Sequence, residues 1–424
     1  MNTALRLTLA AALAVGAAAP STAIAADGTV TLQVADESGR TSRDPIFLAC
    51  PVNGWNPGAP GWQLTPTRAA SASGGAVWEF TLTIPDMPAD AALEFKFARG
   101  TWNSAEVTSE GNDTDNRTIT IKELRASAGT GTAIVLPAIK GFADQRGTRW
   151  PNLQTPGAPA KSTVTGDVTI FEFTSSILSN SRPVRVWTPP GYNDEANKSR
   201  RYPVLYMHDG QNCFDVVGSF AGVEWQCDEA ATALITSGEI EPLIIVAMDN
   251  TGGTRAEEYN PPYTRYLDKA NRGDQYLKFI TDEVMPRINR DYRTLTGPEN
   301  TGIGGSSFGG NASLYAVMDR PDVFGRAIVE SAAVFLDDKA IVKKAATIEK
   351  WPLRMFMAVG TAESARSGDA KAFADLNREL MSMLRSKGLG EERLMTQVEE
   401  GAKHFEAAWA KRFPAALRFV FGKP

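Results

Sequence analysis

The sequence predicts two folds in series: an α/β domain with a mostly parallel sheet and helices on both faces, preceded by a small all-β sandwich. Three observations predict it. Short alternating strands punctuated by Gly, Pro, Asn and Asp fill the first third of the 424 residues. A stretch rich in Ala, Gly, Pro and Thr then breaks the pattern. Beyond it, compact apolar strands alternate with helical segments, which requires a sheet buried on both sides.

Residues 1–25 read as a removable secretory signal peptide. Arg6 supplies the positive start, Leu7–Ala19 the apolar run, and Ala23-Ile24-Ala25 the small-x-small cleavage site. The run is shorter than the ~20 residues a membrane helix needs. A periplasmic or secreted location is therefore expected, with no membrane span. The formal charge of −5 becomes −6 once one Arg and no acid leave with residues 1–25. With no basic run, nucleic acid is not an expected partner.

Residues 27–122 form the expected sandwich, with strands at Val30–Val34, Pro45–Ala49, Val77–Ile84, Leu93–Ala98 and Arg117–Ile121. Residues 123–162 are the expected linker and 163–424 the α/β domain. Its strands are expected at Val168–Phe173, Pro183–Thr188, Tyr202–Met207, Leu243–Met248, Thr301–Ile303, Ala327–Glu330 and Met355–Val359, with helices such as Asp274–Asn289 and Lys371–Lys387 between them.

Gly305-Ser306-Ser307-Phe308-Gly309 is a G-x-S-x-G pentapeptide between a short strand and a helical stretch, Asn311–Met318. A serine hydroxyl is a poor nucleophile and must be presented on a sharp turn, which flanking glycines permit. This is the nucleophile elbow of an α/β-hydrolase. There the triad runs Ser, then acid, then His along the chain. Of the two histidines, His208 and His404, only His404 follows Ser307, so it is the expected base. It is expected in a loop, Glu400–Phe405, before a helix. Glu363, just after the strand Met355–Val359, is the expected acid, with Asp369 the second choice. The backbone N–H of Phe308 is the first expected oxyanion donor, and the backbone around Gly210–Gln211 the second. His208 is then a structural or pocket residue.

Three cysteines allow one bridge; Cys213 and Cys227 flank one loop and are the expected pair, with Cys50 a lone thiol. Two separated histidines and no C-x-x-C exclude a zinc motif, so no metal is expected. The triad chemistry itself needs no cofactor.

Two resemblances extend this reading. The stretches FLACPVNGWNP, EFKFARGTW and DNRTITI resemble starch- and glycogen-binding modules, in which two tryptophans form a sugar platform. The resemblance puts Trp55 and Trp102 at those positions, and flat indole faces suit stacking on pyranose rings. Packing in a small sandwich is the alternative role for both.

The second covers about residues 165–424. RYPVLYMHDGQNCFD, SFAGVEWQCDEA, IVAMDNTGGTRAEEYNPP, DEVMPRINRDYRTL, GIGGSSFGG and EGAKHFEAAWAKR, in that order, resemble an esterase family of α/β-hydrolases. It contains enterochelin, feruloyl and acetyl-xylan esterases, S-formylglutathione hydrolases and mycolyltransferases. The resemblance implies Ser307 as nucleophile, His404 as base and Glu363 in the acid's place. It also implies a substrate-binding role for Asp209, Asn250 and Arg255 at the pocket edge. Phe308 stands where many relatives have Met. The implied activity is an exported serine esterase acting on a small-molecule or polysaccharide ester, favoured as an acyl or feruloyl ester on a carbohydrate. A trilactone siderophore esterase, an acyltransferase to a sugar acceptor and a non-catalytic glycan-binding protein are the alternatives.

Overall fold

A computed structural model describes residues 28–423 apart from 40–43, 54–55, 69–75, 86–88, 90, 147–148, 150–161, 220–221, 253, 266–270 and 365–366. The expected signal peptide, Trp55 and the last part of the expected linker lie outside the described residues. The chain divides into two compact units, residues 1–160 and 161–424.

Among its described residues the first unit is all-β but for one short α-helix and three 3-10 turns. Its strands are β1 (Thr29–Asp36), β2 (Phe47–Ala49), β3 (Thr65–Arg68), β4 (Ala76–Thr83), β5 (Ala92–Ala98), β6 (Glu106–Val107) and β7 (Arg117–Thr120). Helix α1 (Ile121–Ser127), β8 (Ile134–Ile139) and β9 (Gly141–Phe142) follow. One sheet has the order β3-β4-β1-β8, a second β2-β5-β7, and β6 pairs with β9. Alternation puts every second residue of β1 inside: Val30, Leu32 and Val34 are buried. They join Leu48, Phe95 and Phe97 from the other sheet in one apolar core around Trp78. A capping box fixes α1: Thr120 Oγ1 accepts from Glu123 N at 3.2 Å, and Glu123 Oε2 from Thr120 N at 2.8 Å.

The linker expected from residue 123 is corrected here. Residues 134–139 are a strand running parallel to β1, with Leu32 opposite Ile134, and Ile139 and Phe142 are fully buried in the sandwich core. Backbone pairing with β1 overrides a local composition that reads as linker.

The second unit holds an eight-stranded sheet and its helices. In chain order these are β10 (Asp167–Ser175), β11 (Asn180–Thr188), β12 (Val204–His208), α2 (Cys227–Thr236), β13 (Ile244–Met248), α3 (Arg255–Tyr259), α4 (Gly273–Lys278) and α5 (Met285–Asp291). Then come β14 (Thr301–Ser306), α6 (Phe308–Asp319), β15 (Arg326–Glu330), α7 (Leu336–Ala346), β16 (Arg354–Ala362), α8 (Ser367–Ser386), β17 (Leu394–Lys403) and α9 (Glu406–Phe421). A π-helical stretch, Phe279–Val284, joins α4 to α5.

The sheet order is β10-β11-β13-β12-β14-β15-β16-β17, and only β11 runs against the others. The central strands β12 and β13 are buried at every residue, as strands covered on both faces must be. Leu205 and Met207 pack with Trp409, Phe413 and Leu417 of α9 and Ala231 of α2. The alternate residue His208, with Ile303, lines a small cavity closed by Tyr276 of α4 and Ala312 and Tyr315 of α6. Such a sheet, mostly parallel and sandwiched by helices, is the α/β-hydrolase arrangement.

Two further expectations need correction. Residues 400–403 belong to β17 rather than a loop, because this edge strand pairs along β16 from Leu394 to Lys403. Cys213 and Cys227 are not bridged: all three cysteines are free and buried. Cys213 Sγ faces the carbonyls of His208 and Asp209 at 3.9 and 3.8 Å, and burial pushes the Cys227 thiol well up, so Cys227 sits as a neutral core group.

Candidate active site

The site gathers at the carboxyl ends of β12, β14, β15 and β16. Ser307 stands between β14 and α6 with φ 59° and ψ −122°, a strained conformation for any residue with a Cβ. Its N–H donates to Glu330 O at 3.0 Å, and its carbonyl accepts from Asn311 N at 3.2 Å, the first bond of α6. The sheet holds the turn from one side and the helix from the other. The close approach explains the two glycines of the motif. A Cβ on Gly305 would stand 3.0 Å from His208 Cδ2, and one on Gly309 3.2 Å from His208 Cβ.

His404 follows β17 directly, and its Nδ1 is 2.6 Å from Glu363 Oε2. Glu363, one residue past β16, has a fully buried side chain, whereas the imidazole is 29% exposed. The carboxylate is thus fixed in the interior while the far ring nitrogen remains reachable. Burial alone would raise the Glu363 carboxyl, but bonds and charge from His404, with donors Ser331 and Gly360, outweigh it and hold it below the usual range. Ser331 Oγ donates to Glu363 Oε1 at 2.7 Å, and Gly360 N to the same oxygen at 2.5 Å. The imidazole is packed edge-on between Phe373 at 5.6 Å and Trp409 at 5.1 Å. Asp369, the second choice for the acid, falls within α8.

The expected oxyanion turn is Gly210–Asn212, one 3-10 turn directly after β12, entered through Asp209 at φ 57°. A Cβ at Gly210 would meet Ala247 O at 2.7 Å, so this position admits only glycine. Gln211 Oε1 accepts from Asn250 N at 3.1 Å. Phe308 opens α6 directly after Ser307.

Asp209, Asn250 and Arg255, expected at the pocket edge, form one polar cluster. Arg255 Nε and one terminal nitrogen each lie 2.7 Å from an Asp209 carboxylate oxygen, and Asn250 Nδ2 donates to Asp209 Oδ1 at 2.7 Å. The guanidinium sits 5.7 Å from the Phe308 ring centroid, which ties the cluster to the elbow. These groups satisfy one another and fix the turn that carries Gln211.

His208 is a structural residue. Its Nδ1 is 3.0 Å from Tyr276 Oη, and burial pushes its pKa down to about 4, so the ring is neutral. Trp102 lies partly buried in a 3-10 turn of the first unit, Trp102–Ser104.

Sequence reasoning missed two residues. Ser331 carried no local signal, since it meets Glu363 only through the fold. Glu406 did carry one: it is the acid two residues after His404, at the first position of α9. Buried, it accepts from Asn212 Nδ2 at 3.2 Å, and burial, then repulsion from Asp209, push it up to about 7.

A serine on a strained strand-to-helix turn, an imidazole held by a buried carboxylate and a glycine-dependent turn after β12 are the parts an α/β-hydrolase uses for acyl transfer. The family model described as "Putative esterase" matches residues 175–420. The chain belongs to this Esterase family and is a carboxylic ester hydrolase. It is 24% identical over 251 residues to YbbA of Bacillus subtilis, covering 58% of this chain and 94% of that one. It is 28% identical over 167 residues to the iron(III) enterobactin esterase of Dickeya dadantii, covering 39% and 33%. It is 27% identical over 165 residues to an endo-1,4-beta-xylanase/feruloyl esterase of Xylanibacter ruminicola, covering 38% and 21%.

Proposed function

We propose that the chain is an exported serine esterase that cleaves an acyl or feruloyl ester on a carbohydrate through Ser307, His404 and Glu363. The observation that carries the catalytic part is the 2.6 Å contact between His404 Nδ1 and the buried Glu363, in the same domain as the strained Ser307. Ser307 Oγ attacks the ester carbonyl while His404 Nε2 takes its proton. The backbone N–H groups of Phe308 and Gln211 hold the oxyanion. His404 returns the proton to the leaving alcohol, and an acyl-enzyme remains. Water then attacks, giving its proton to His404, and Ser307 departs with that proton as the free acid is released. Glu363 keeps the imidazole in one tautomer and stabilises the imidazolium without taking the proton.

The carbohydrate part rests on Trp102 and Trp55 in a separate sandwich, and on the xylanase/feruloyl esterase name of one relative. Export rests on residues 1–25; among the described residues no helix is long and apolar enough to cross a membrane. The test is turnover of p-nitrophenyl, feruloyl-sugar, acetyl-xylan and trilactone esters by wild type and by Ser307→Ala. Feruloyl or acetyl esters of sugars as the best substrates support the reading. A trilactone preferred over them, or turnover that survives Ser307→Ala, overturns it.

A further inference from the structure

Close in sequence to the turn after β12, three acids converge. Glu224, Asp228 and Glu229 each offer a carboxylate oxygen, and these oxygens lie within 4.8 Å of one another. Asp228 is fully buried and Glu224 is 5% exposed. One oxygen of each of these two is already held: Asp228 Oδ2 accepts from Thr165 N at 2.5 Å, and Glu224 Oε1 accepts from Thr163 Oγ1. The others, Asp228 Oδ1 and Glu224 Oε2, together with Glu229 Oε2, are buried with no hydrogen-bond partner among the described residues. Buried carboxylate oxygens demand a proton or a cation. The groups that act most strongly on Glu224 and Asp228 are burial, other acids and hydrogen-bond donors, with no Lys or Arg among them.

We propose that Glu224, Asp228 and Glu229 are the protein ligands of a calcium ion. The donor set is all oxygen and anionic, which suits a hard cation and not zinc. Calcium accepts an irregular shell of six to eight oxygens at about 2.3–2.6 Å, whereas magnesium demands near-ideal octahedral geometry and keeps several of its waters, which a buried set of three carboxylates does not favour. Three carboxylates leave the bound site with one net negative charge, and water or backbone carbonyls complete the shell. The expectation of no metal rested on His and Cys spacing, which tests for zinc and is blind to a carboxylate site.

The ion would brace the catalytic domain near its oxyanion turn. Trp225 N donates to Asn212 O at 2.8 Å and Cys227 N to Cys213 O at 3.0 Å, so the acidic segment is hydrogen-bonded to the end of the turn that carries Gln211.

The experiment is calorimetric titration of EDTA-stripped full-length protein with calcium chloride at pH 8, with thermal unfolding at zero and millimolar calcium. Terbium luminescence excited through Trp225 gives an independent readout. Wild type is expected to bind one calcium per chain and to gain about 5 °C in Tm through preferential binding to the folded state. Glu224→Gln and Asp228→Asn are expected to bind at least tenfold more weakly, with calcium-free Tm values no lower than wild type, because the amides relieve repulsion. If either variant fails to fold, the wild-type titration and Glu229→Gln decide. No heat, Tm shift or luminescence in wild type overturns the proposal. So does undiminished binding in the variants.

Discussion

Ser331 Oγ stands 2.7 Å from Glu363 Oε1, the carboxylate oxygen not used by His404. The same hydroxyl accepts from Trp409 Nε1 at 3.0 Å, and Trp409 also packs edge-on against the His404 ring. One serine therefore fixes the acid and the aromatic wall that together orient the imidazole.

Ser331 is a positioning residue, and Ser331→Ala is expected to lower kcat about tenfold, a loss of ~1.4 kcal/mol, with KM nearly unchanged. Labelling of Ser307 by a phosphonate should slow in parallel. A merely structural role predicts lost Tm with normal kcat in the folded fraction, and that result would remove Ser331 from the catalytic account.

Ser307→Ala should reduce kcat by about four orders of magnitude or more, while Ser306→Ala keeps most of it. Ser306 is the last, buried residue of β14, and only Ser307 occupies the strained turn. Mass mapping of a fluorophosphonate adduct to Ser306 would refute the assignment.

Glu363→Gln replaces the accepting oxygens with an amide that cannot hold an imidazolium. A loss of about 10³–10⁴ in kcat is expected, by analogy with acid-to-amide changes in other triads. Asp369→Asn should be close to wild type. Equal losses at both positions would leave the acid unassigned.

His208 contributes a pH-dependent stability with a definite sign. Its folded pKa of about 4 lies below the ordinary 6.5, because burial disfavours the imidazolium, so the unfolded chain binds the extra proton. Its contribution is complete above pH 6.5 and is lost as pH falls from there toward 4. By pH 5 the loss is about 2 kcal/mol. Glu330 and Glu406, both pushed up to about 7 chiefly by burial, act in the opposite sense, so the wild-type curve alone does not isolate it. The measurement is urea unfolding of wild type and His208→Gln at pH 7.5 and pH 5. The variant, folded and partly active, should be less stable at pH 7.5, and the gap should shrink or reverse at pH 5. A gap independent of pH would show that His208 is not the buried neutral group described.

The elbow was legible because its chemistry is local: glycines, serine and helix start lie within eight residues. Glu363 was pointed to by the strand before it, and His404 by chain order, as the one histidine after Ser307. Ser331, the strand β8 and the free thiols were not, because pairing with distant residues decides them. Strand β17 hid for another reason. At an edge it carries Glu399, Glu400 and Lys403 and buries only Leu394 fully, so its pattern reads as polar loop.

The sandwich domain supplies the last prediction. Trp102 is partly exposed in a turn, at one of the two positions that the sugar-module resemblance marks; Trp55 is the other. Stacking contributes only ~1 kcal/mol per ring beyond buried area, so one such platform binds a glucan weakly. Its effect would be to raise the local concentration of enzyme at an insoluble substrate. Trp102→Ala combined with Trp55→Ala should therefore lower retention on amylose, glycogen or xylan and activity on polymer, with activity on a p-nitrophenyl ester unchanged. If the indoles instead serve the sandwich core, the double variant loses Tm and both activities together. Wild-type protein that passes all three polysaccharide columns without delay would end the binding role, since no mutation is needed to expose its absence.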